Sequence, residues 1–357
     1  MQLTSKERAL ISINGKEPDR IPIDYWGTKE ITEKLINYFK FSNYDQLLEK
    51  FNVDFRYIFP EYNGPELEVY PDGSYKDLWG IIRKNQIVKN GSYEEVIKSP
   101  LADFTSIDDI ENYNWPNPNC YNYENINAQL SKYKNYATIA VGDRTNRTSI
   151  LHAGIYLRGM EQILLDLYEN EELAQKLFEK VTNFYLEVNK RIFEAGKGKI
   201  DIFMMGDDFG TQNSLLISPK LWHKLIKPHL IKHIKLAKNY GLKVMLHSCG
   251  AIFELIPDLI EIGIDILNPI QVRADKMIPQ KLKESFGNKL CFHGSIDIQK
   301  TLPLGTKEDV IEEVKDRIKT LAPNGKFIIC TTHNIQADTP IENILTLYDS
   351  IIQYGKY

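Results

Sequence analysis

Residues 244–250 read Val-Met-Leu-His-Ser-Cys-Gly, and they carry the side chains best suited to chemistry. Side chains two apart on a strand point to the same side. An imidazole at His247 and a thiolate at Cys249 can therefore face one ion together, and that donor pair suits zinc. Gly250 would let the backbone turn tightly away. The competing reading is a buried strand end holding a stray histidine and a small apolar cysteine. A zinc site needs at least a third protein ligand. Cys330 and His333 both lie at the end of the last apolar run, and His333, just past that end, is the preferred ligand with Cys330 as the alternative. Three protein ligands leave a position open for a substrate atom, as catalytic zinc requires.

The pair Asp207-Asp208 is the second feature. Carboxylates at a strand end can act as ligand, base or substrate anchor, or can cap the next helix. One of the two is expected to face the site and the other to be structural. His229 and His233 are four apart, a metal-like spacing on a helix. That stretch also carries Lys220, Lys224, Lys227, Lys232, Lys235 and Lys238, so it reads as a solvated outer helix with no metal role. Cys120 falls in a loop-like stretch and Cys291 inside a strand, so neither is assigned a role. There is no phosphate-binding loop, no Rossmann glycine fingerprint and no serine nucleophile elbow.

These residues must be held by repeating elements. Short apolar runs occur at 21–23, 55–59, 138–141, 202–205, 244–246, 266–270, 290–292 and 327–329, with helical patterns between the later ones. Thr4 and Glu7 form a capping box for an opening helix, Ser218-Pro219 start another, and Thr306 with Asp309 a third. Buried strands alternating with helices imply a parallel sheet, and eight repeats favour a closed (β/α)8 TIM barrel spanning residues 1–357 as one domain. Residues 61–135 break the repeat. They read as an insertion between the second and third strands, with a β-hairpin around the 71–74 turn, serving as a lid or a dimer contact. Barrel sites form at the C-terminal ends of strands. The polar residues there include Asp24, Trp26, Asn146, Arg147, Asp207, Asp208, Gln212, His247, Cys249, Gln271, His293 and His333.

A formal charge of −4 gives no basic face for nucleic acid, and no apolar run is long enough to span a bilayer. The start of the chain has no signal-peptide core, so a cytoplasmic location is expected. Four cysteines in 357 residues argue against a disulfide framework.

The chain resembles the uroporphyrinogen decarboxylase superfamily. The resemblance runs through Pro18-Asp19-Arg20-Ile21-Pro22, Leu157-Arg158-Gly159-Met160-Glu161, Gly206-Asp207-Asp208-Phe209-Gly210, His247-Ser248-Cys249-Gly250 and His333-Asn334-Ile335-Gln336. It implies a (β/α)8 barrel. The decarboxylases of the superfamily carry an N-terminal arginine pair, whereas the matching stretch here is Tyr25-Trp26-Gly27-Thr28-Lys29-Glu30. The chain is more similar to the corrinoid-dependent methyltransferase branch, whose zinc site pairs His-x-Cys with a late cysteine. Counting back from Pro340 places His333 where that cysteine would be.

This resemblance implies a zinc enzyme that moves a methyl group between methylcobalamin, carried by a partner corrinoid protein, and a small-molecule thiol or methylated substrate. Tetrapyrrole decarboxylation without metal is the alternative. In that setting Asp207 would orient the substrate, with His293 as the second catalytic candidate. Trp26 would stack on an apolar or methylated group, and Asn146, Arg147, Asp208, Gln212 and Gln271 would complete the substrate-binding set.

Overall fold

Seven of the eight apolar runs form strands. The computed structural model describes residues 3–88, 91–140 and 147–357. The strands are β1 (Phe55–Ile58), β2 (Ala137–Ala140), β3 (Ile202–Gly206), β4 (Lys243–His247), β5 (Ile266–Ile270), β6 (Cys291–Ile296) and β7 (Phe327–Thr331). They pair in chain order, all parallel, in one seven-stranded curled sheet. Both faces are covered, so the strands are continuous apolar runs rather than alternating ones.

The run at 21–23 is not a strand. It forms a parallel bridge from Ile23 to Ile329 of β7. The Asp24 amide donates to the Ile329 carbonyl at 3.0 Å, and the Asp54 amide, beside β1, donates to the Ile23 carbonyl at 2.8 Å. Both edges of the sheet are therefore bonded to this segment. Pro22 has no amide hydrogen, which keeps it from a full ladder.

Two apolar clusters show which way each strand residue points. Phe55, Ala137, Ile139, Ile202, Met204, Met245, Ile266, Cys291 and Ile328 pack together inside, closed from below by Ala9 and Ile13 of helix Ser5–Ile13. Their neighbours Phe203, Val244, Leu246, Leu267, Phe292, Phe327 and Ile329 pack outward against the helices. The period of two then sends Tyr57, His247, Asn268, His293 and Cys330 inward, one layer nearer the C-terminal end. That layer is polar, and it is where the site forms.

Thr4 and Glu7 make the expected capping box, as do Thr306 and Asp309. Helix Lys227–Asn239 buries His229 and His233 beside Leu230, Ile234 and Ala237. The two histidines lie on its inner face, not in solvent, and belong to no metal-capable group among the described residues. Within the insertion, residues 75–76, 82–88 and 91–98 form a three-stranded antiparallel sheet, and 61–62 pairs with 121–122. No helix among the described residues is long and apolar enough to cross a membrane.

Candidate metal centre

His247 closes β4 and Cys249 follows two residues later, on the same side. The Cys249 sulfur lies 3.5 Å from His247 Nε2. His333, past the end of β7, joins them: one donor atom from each of His247, Cys249 and His333 falls within 4.8 Å of the others. The rings of His247 and His333 meet edge to face, centroids 6.0 Å apart. Nitrogen, sulfur and nitrogen in one cluster fit a zinc ion. His247 is buried, while Cys249 and His333 are only partly so, which leaves one side of the cluster accessible.

The loops here depend on two glycines. Gly250 has φ +89°, and a Cβ on it would come 2.4 Å from the Gly210 backbone. Only glycine suits that approach of the loops after β3 and β4. Gly206 ends β3 directly against His247, where a Cβ would sit 2.3 Å from its carbonyl oxygen.

Asp208 flanks the cluster. Its Oδ1 accepts the Cys249 amide at 2.8 Å and lies 3.3 Å from His247 Nε2. Burial alone would raise this carboxyl, but the hydrogen bond to His247 and the charges of His247, His152 and Arg147 outweigh it and hold it well below the carboxylate range. Burial, then the Arg147 charge, push the His247 imidazole below its ordinary value, against the pull of Asp208.

Asp207, expected to orient the substrate, has the structural role instead. Its carboxylate accepts the Ile150 and His152 amides, each at 2.7 Å, at the start of helix Leu151–Arg158. The carboxylate is fully buried. The N–H groups at a helix start lack intrahelical partners, and two of them donate to the Asp207 carboxylate. Asp208 is the one that faces the cluster.

His293, expected as a catalytic group in the pocket, is fully buried beneath it. Its Nε2 meets Asp24 Oδ2 at 2.9 Å and its Nδ1 meets Asn268 Nδ2 at 2.6 Å. Asn268 Oδ1 in turn meets His247 Nδ1 at 2.6 Å. Trp26 was expected to stack on a substrate group. Its indole lies instead over His247, centroids 5.5 Å apart and planes 14° apart, and its N–H donates to Tyr57. Gln271 and Gln212 brace loops. Gln271 Oε1 accepts the Gly250 amide at 2.8 Å, and Gln212 donates to the Arg273 carbonyl. Arg147 is buried and lends its charge to Asp208 and His247. Asn146 lies outside the described residues.

Cys330 does not reach the first cluster. It belongs to a second group with Asp24 and His293, all three buried. Asn268, Tyr57 and His152 had no place in the sequence-based site. Asn268 carried one signal: an amide followed by proline inside the apolar run of β5.

Residues 145–354 match the family model "Uroporphyrinogen decarboxylase (URO-D)", more than half of the chain. Among curated proteins, the chain is 25% identical over 189 residues to a "Methylated-thiol--coenzyme M methyltransferase" of Methanosarcina mazei, covering 53% of this chain and 47% of that protein. It is also 25% identical over 192 residues to a "Uroporphyrinogen decarboxylase" of Rickettsia bellii, covering 53% and 52%. The chain thus spans about half the length of the curated relatives it matches. Among solved structures, a methyltransferase from Methanosarcina mazei superposes over 99% of both chains with a TM-score of 0.71 at 15% identity, a likeness of fold.

Proposed function

The chain belongs to the uroporphyrinogen decarboxylase family, and from that premise we propose that it is a zinc-dependent methyltransferase moving a methyl group between a corrinoid on a partner protein and a small-molecule thiol or methylated substrate. The observation that carries this reading is the gathering of His247, Cys249 and His333 at the C-terminal strand ends. Methyl transfer in general is what the family relationship supports.

These three side chains would hold the ion. Zinc held there would lower the pKa of a coordinated thiol and so would supply a thiolate at neutral pH. The chain's own residues prepare that place. Asn268 and Trp26 fix the His247 ring from its edge and its face. Asp208 fixes the Cys249 backbone and adds negative charge beside the donors. Gln271 holds the following turn through the Gly250 amide. Arg147, His152 and Asp208 would be the charged or polar groups to meet a substrate.

The second reading, a tetrapyrrole decarboxylase, is favoured by the Rickettsia relative at equal identity. Two features weigh against it: residues 25–30 supply no arginine, and a thiol in a three-donor cluster has no task in a metal-free decarboxylation.

Metal analysis with a methyl-transfer assay separates them. About one zinc per chain, and loss of methylcobalamin absorbance dependent on added thiol, are expected. Carbon dioxide release from a porphyrinogen by a metal-free preparation would overturn the proposal.

A further inference from the structure

Below the candidate ligands lies a run of polar side chains that the proposed reaction does not touch. It links Trp26, Tyr57, Asp24, His293, Asn268 and His247, and with Asp24 ionised and His293 neutral each bond takes one direction. The Trp26 indole is a donor only, and it lies 2.6 Å from the Tyr57 oxygen. Tyr57 therefore accepts there and sends its own hydrogen to Asp24 Oδ2, also at 2.6 Å. Asp24 Oδ1 takes the Tyr25 amide at 2.8 Å. A carboxylate receiving donors on both oxygens is an acceptor toward His293 as well, so the hydrogen in that 2.9 Å contact sits on His293 Nε2.

A neutral imidazole with its hydrogen on Nε2 has a lone pair on Nδ1. Asn268 must offer its NH2 there, at 2.6 Å. Its carbonyl oxygen then faces His247 Nδ1, also at 2.6 Å. A carbonyl only accepts. The His247 hydrogen is thus on Nδ1, and Nε2 presents its lone pair toward Cys249 and His333.

We propose that Asp24 is a positioning residue for the metal centre: acting through His293 and the Asn268 amide, it sets the tautomer of His247 and leaves Nε2 open to the ion. The proposal rests on the reading of His247 as a metal ligand. Every member of the relay is buried or half-buried, and none of its nitrogen or oxygen atoms is a buried group lacking a partner. Asp208 Oδ1 at 3.3 Å and the Cys249 sulfur at 3.5 Å also face His247 Nε2, and both contacts are longer than the 2.6 Å contact of Asn268 Oδ1 with Nδ1.

Substitution should turn the relay around. In D24N the Tyr25 amide keeps the new side chain's oxygen in place, so its NH2 faces His293 Nε2. His293 would then carry its hydrogen on Nδ1, Asn268 would rotate, and His247 would be protonated on Nε2, where the ion must bind. In N268D both oxygens accept, so His247 keeps its hydrogen on Nδ1 whatever Asp24 does.

The test uses the full chain. In metal-free wild type labelled with 15N-histidine, long-range 15N–1H correlations should show His247 as the Nδ1–H tautomer, and D24N should convert it to Nε2–H. By chelator competition D24N should bind zinc about 10- to 100-fold more weakly, the range for groups that orient a ligand. N268D should bind close to wild type, and the D24N/N268D double variant should recover what D24N loses. A mere packing defect at Asp24 would not be rescued in this way. An Nε2–H tautomer in the wild type, or a double variant as weak as D24N, overturns the proposal. The wild-type spectrum decides it even where D24N fails to fold. Full zinc binding by H247A would instead remove the metal reading, while the tautomer in the metal-free chain still reports on the relay.

Discussion

Two three-donor groups sit side by side at the C-terminal end of the sheet, and they differ in burial. His247, Cys249 and His333 lie at the rim, with the last two half-buried. Asp24, His293 and Cys330 lie one layer down, fully enclosed. In the lower group the Asp24 carboxylate is taken by Tyr57, Tyr25 and His293, and His293 uses both ring nitrogens. Burial, then the Asp24 charge, hold the Cys330 thiol well above its ordinary value. A protonated thiol is not a metal ligand. In the lower group, proximity of donors is thus not enough, because its electron pairs are committed and its thiol keeps its proton.

The largest contrast should appear in metal content. H247A or C249A is expected to drop zinc from about one per chain to near zero, measured on protein purified with zinc present. C330S should keep it. Loss of zinc in C330S with retention in His333→Ala would exchange the roles of the two groups.

Thiol chemistry should follow the same division. Iodoacetamide with mass spectrometry is expected to modify Cys249 in the metal-free protein and to be blocked there by zinc. Cys330 should stay unmodified until the chain unfolds, as should Cys291, whose thiol burial raises to about 12. Modification of Cys330 ahead of Cys249 would show the lower layer to be open.

Stability should respond in the opposite sense to metal content. D24A removes the acceptor shared by Tyr57, His293 and the Tyr25 amide, and is expected to cost about 2–5 kcal/mol in denaturant unfolding. Asp208→Ala, at the rim, should cost far less while changing zinc binding. Equal losses from the two would erase the difference between layers.

Much of the rim could be read directly in the sequence, because it rests on local geometry. His247 and Cys249 alternate along one strand, and His333 stands just past the end of the last apolar run. The lower layer could not. Asn268 sits inside an apolar run, and its value comes from His247 and His293 on neighbouring strands. Asp207 and Asp208 differ by one position, and which of them meets the helix amides is settled by packing across 55 residues of chain. The first repeat was legible as an apolar run but not as a bridge, since Pro22 limits its pairing to the neighbour.

The smallest effect concerns a histidine that lacks what His293 has. His233 is fully buried, and neither ring nitrogen has a partner among the described residues. Burial, then the charge of His229, lower its pKa from 6.5 to about 3. His229, with Thr182 on Nδ1, is lowered to about 4, again first by burial. Both groups therefore stay neutral in the folded chain at pH values where the unfolded chain takes up protons. The stability this represents is complete above about pH 6.5. It is lost progressively as pH falls from there toward the folded values. For His233 the loss between pH 7 and 5.5 is about 1 kcal/mol by linkage. Urea unfolding at the two pH values should show the combined decrement of the two histidines in wild type and about 1 kcal/mol less of it in His233→Met. An unchanged pH slope in His233→Met would mean that an unseen partner already holds that imidazole, as Asp24 holds His293.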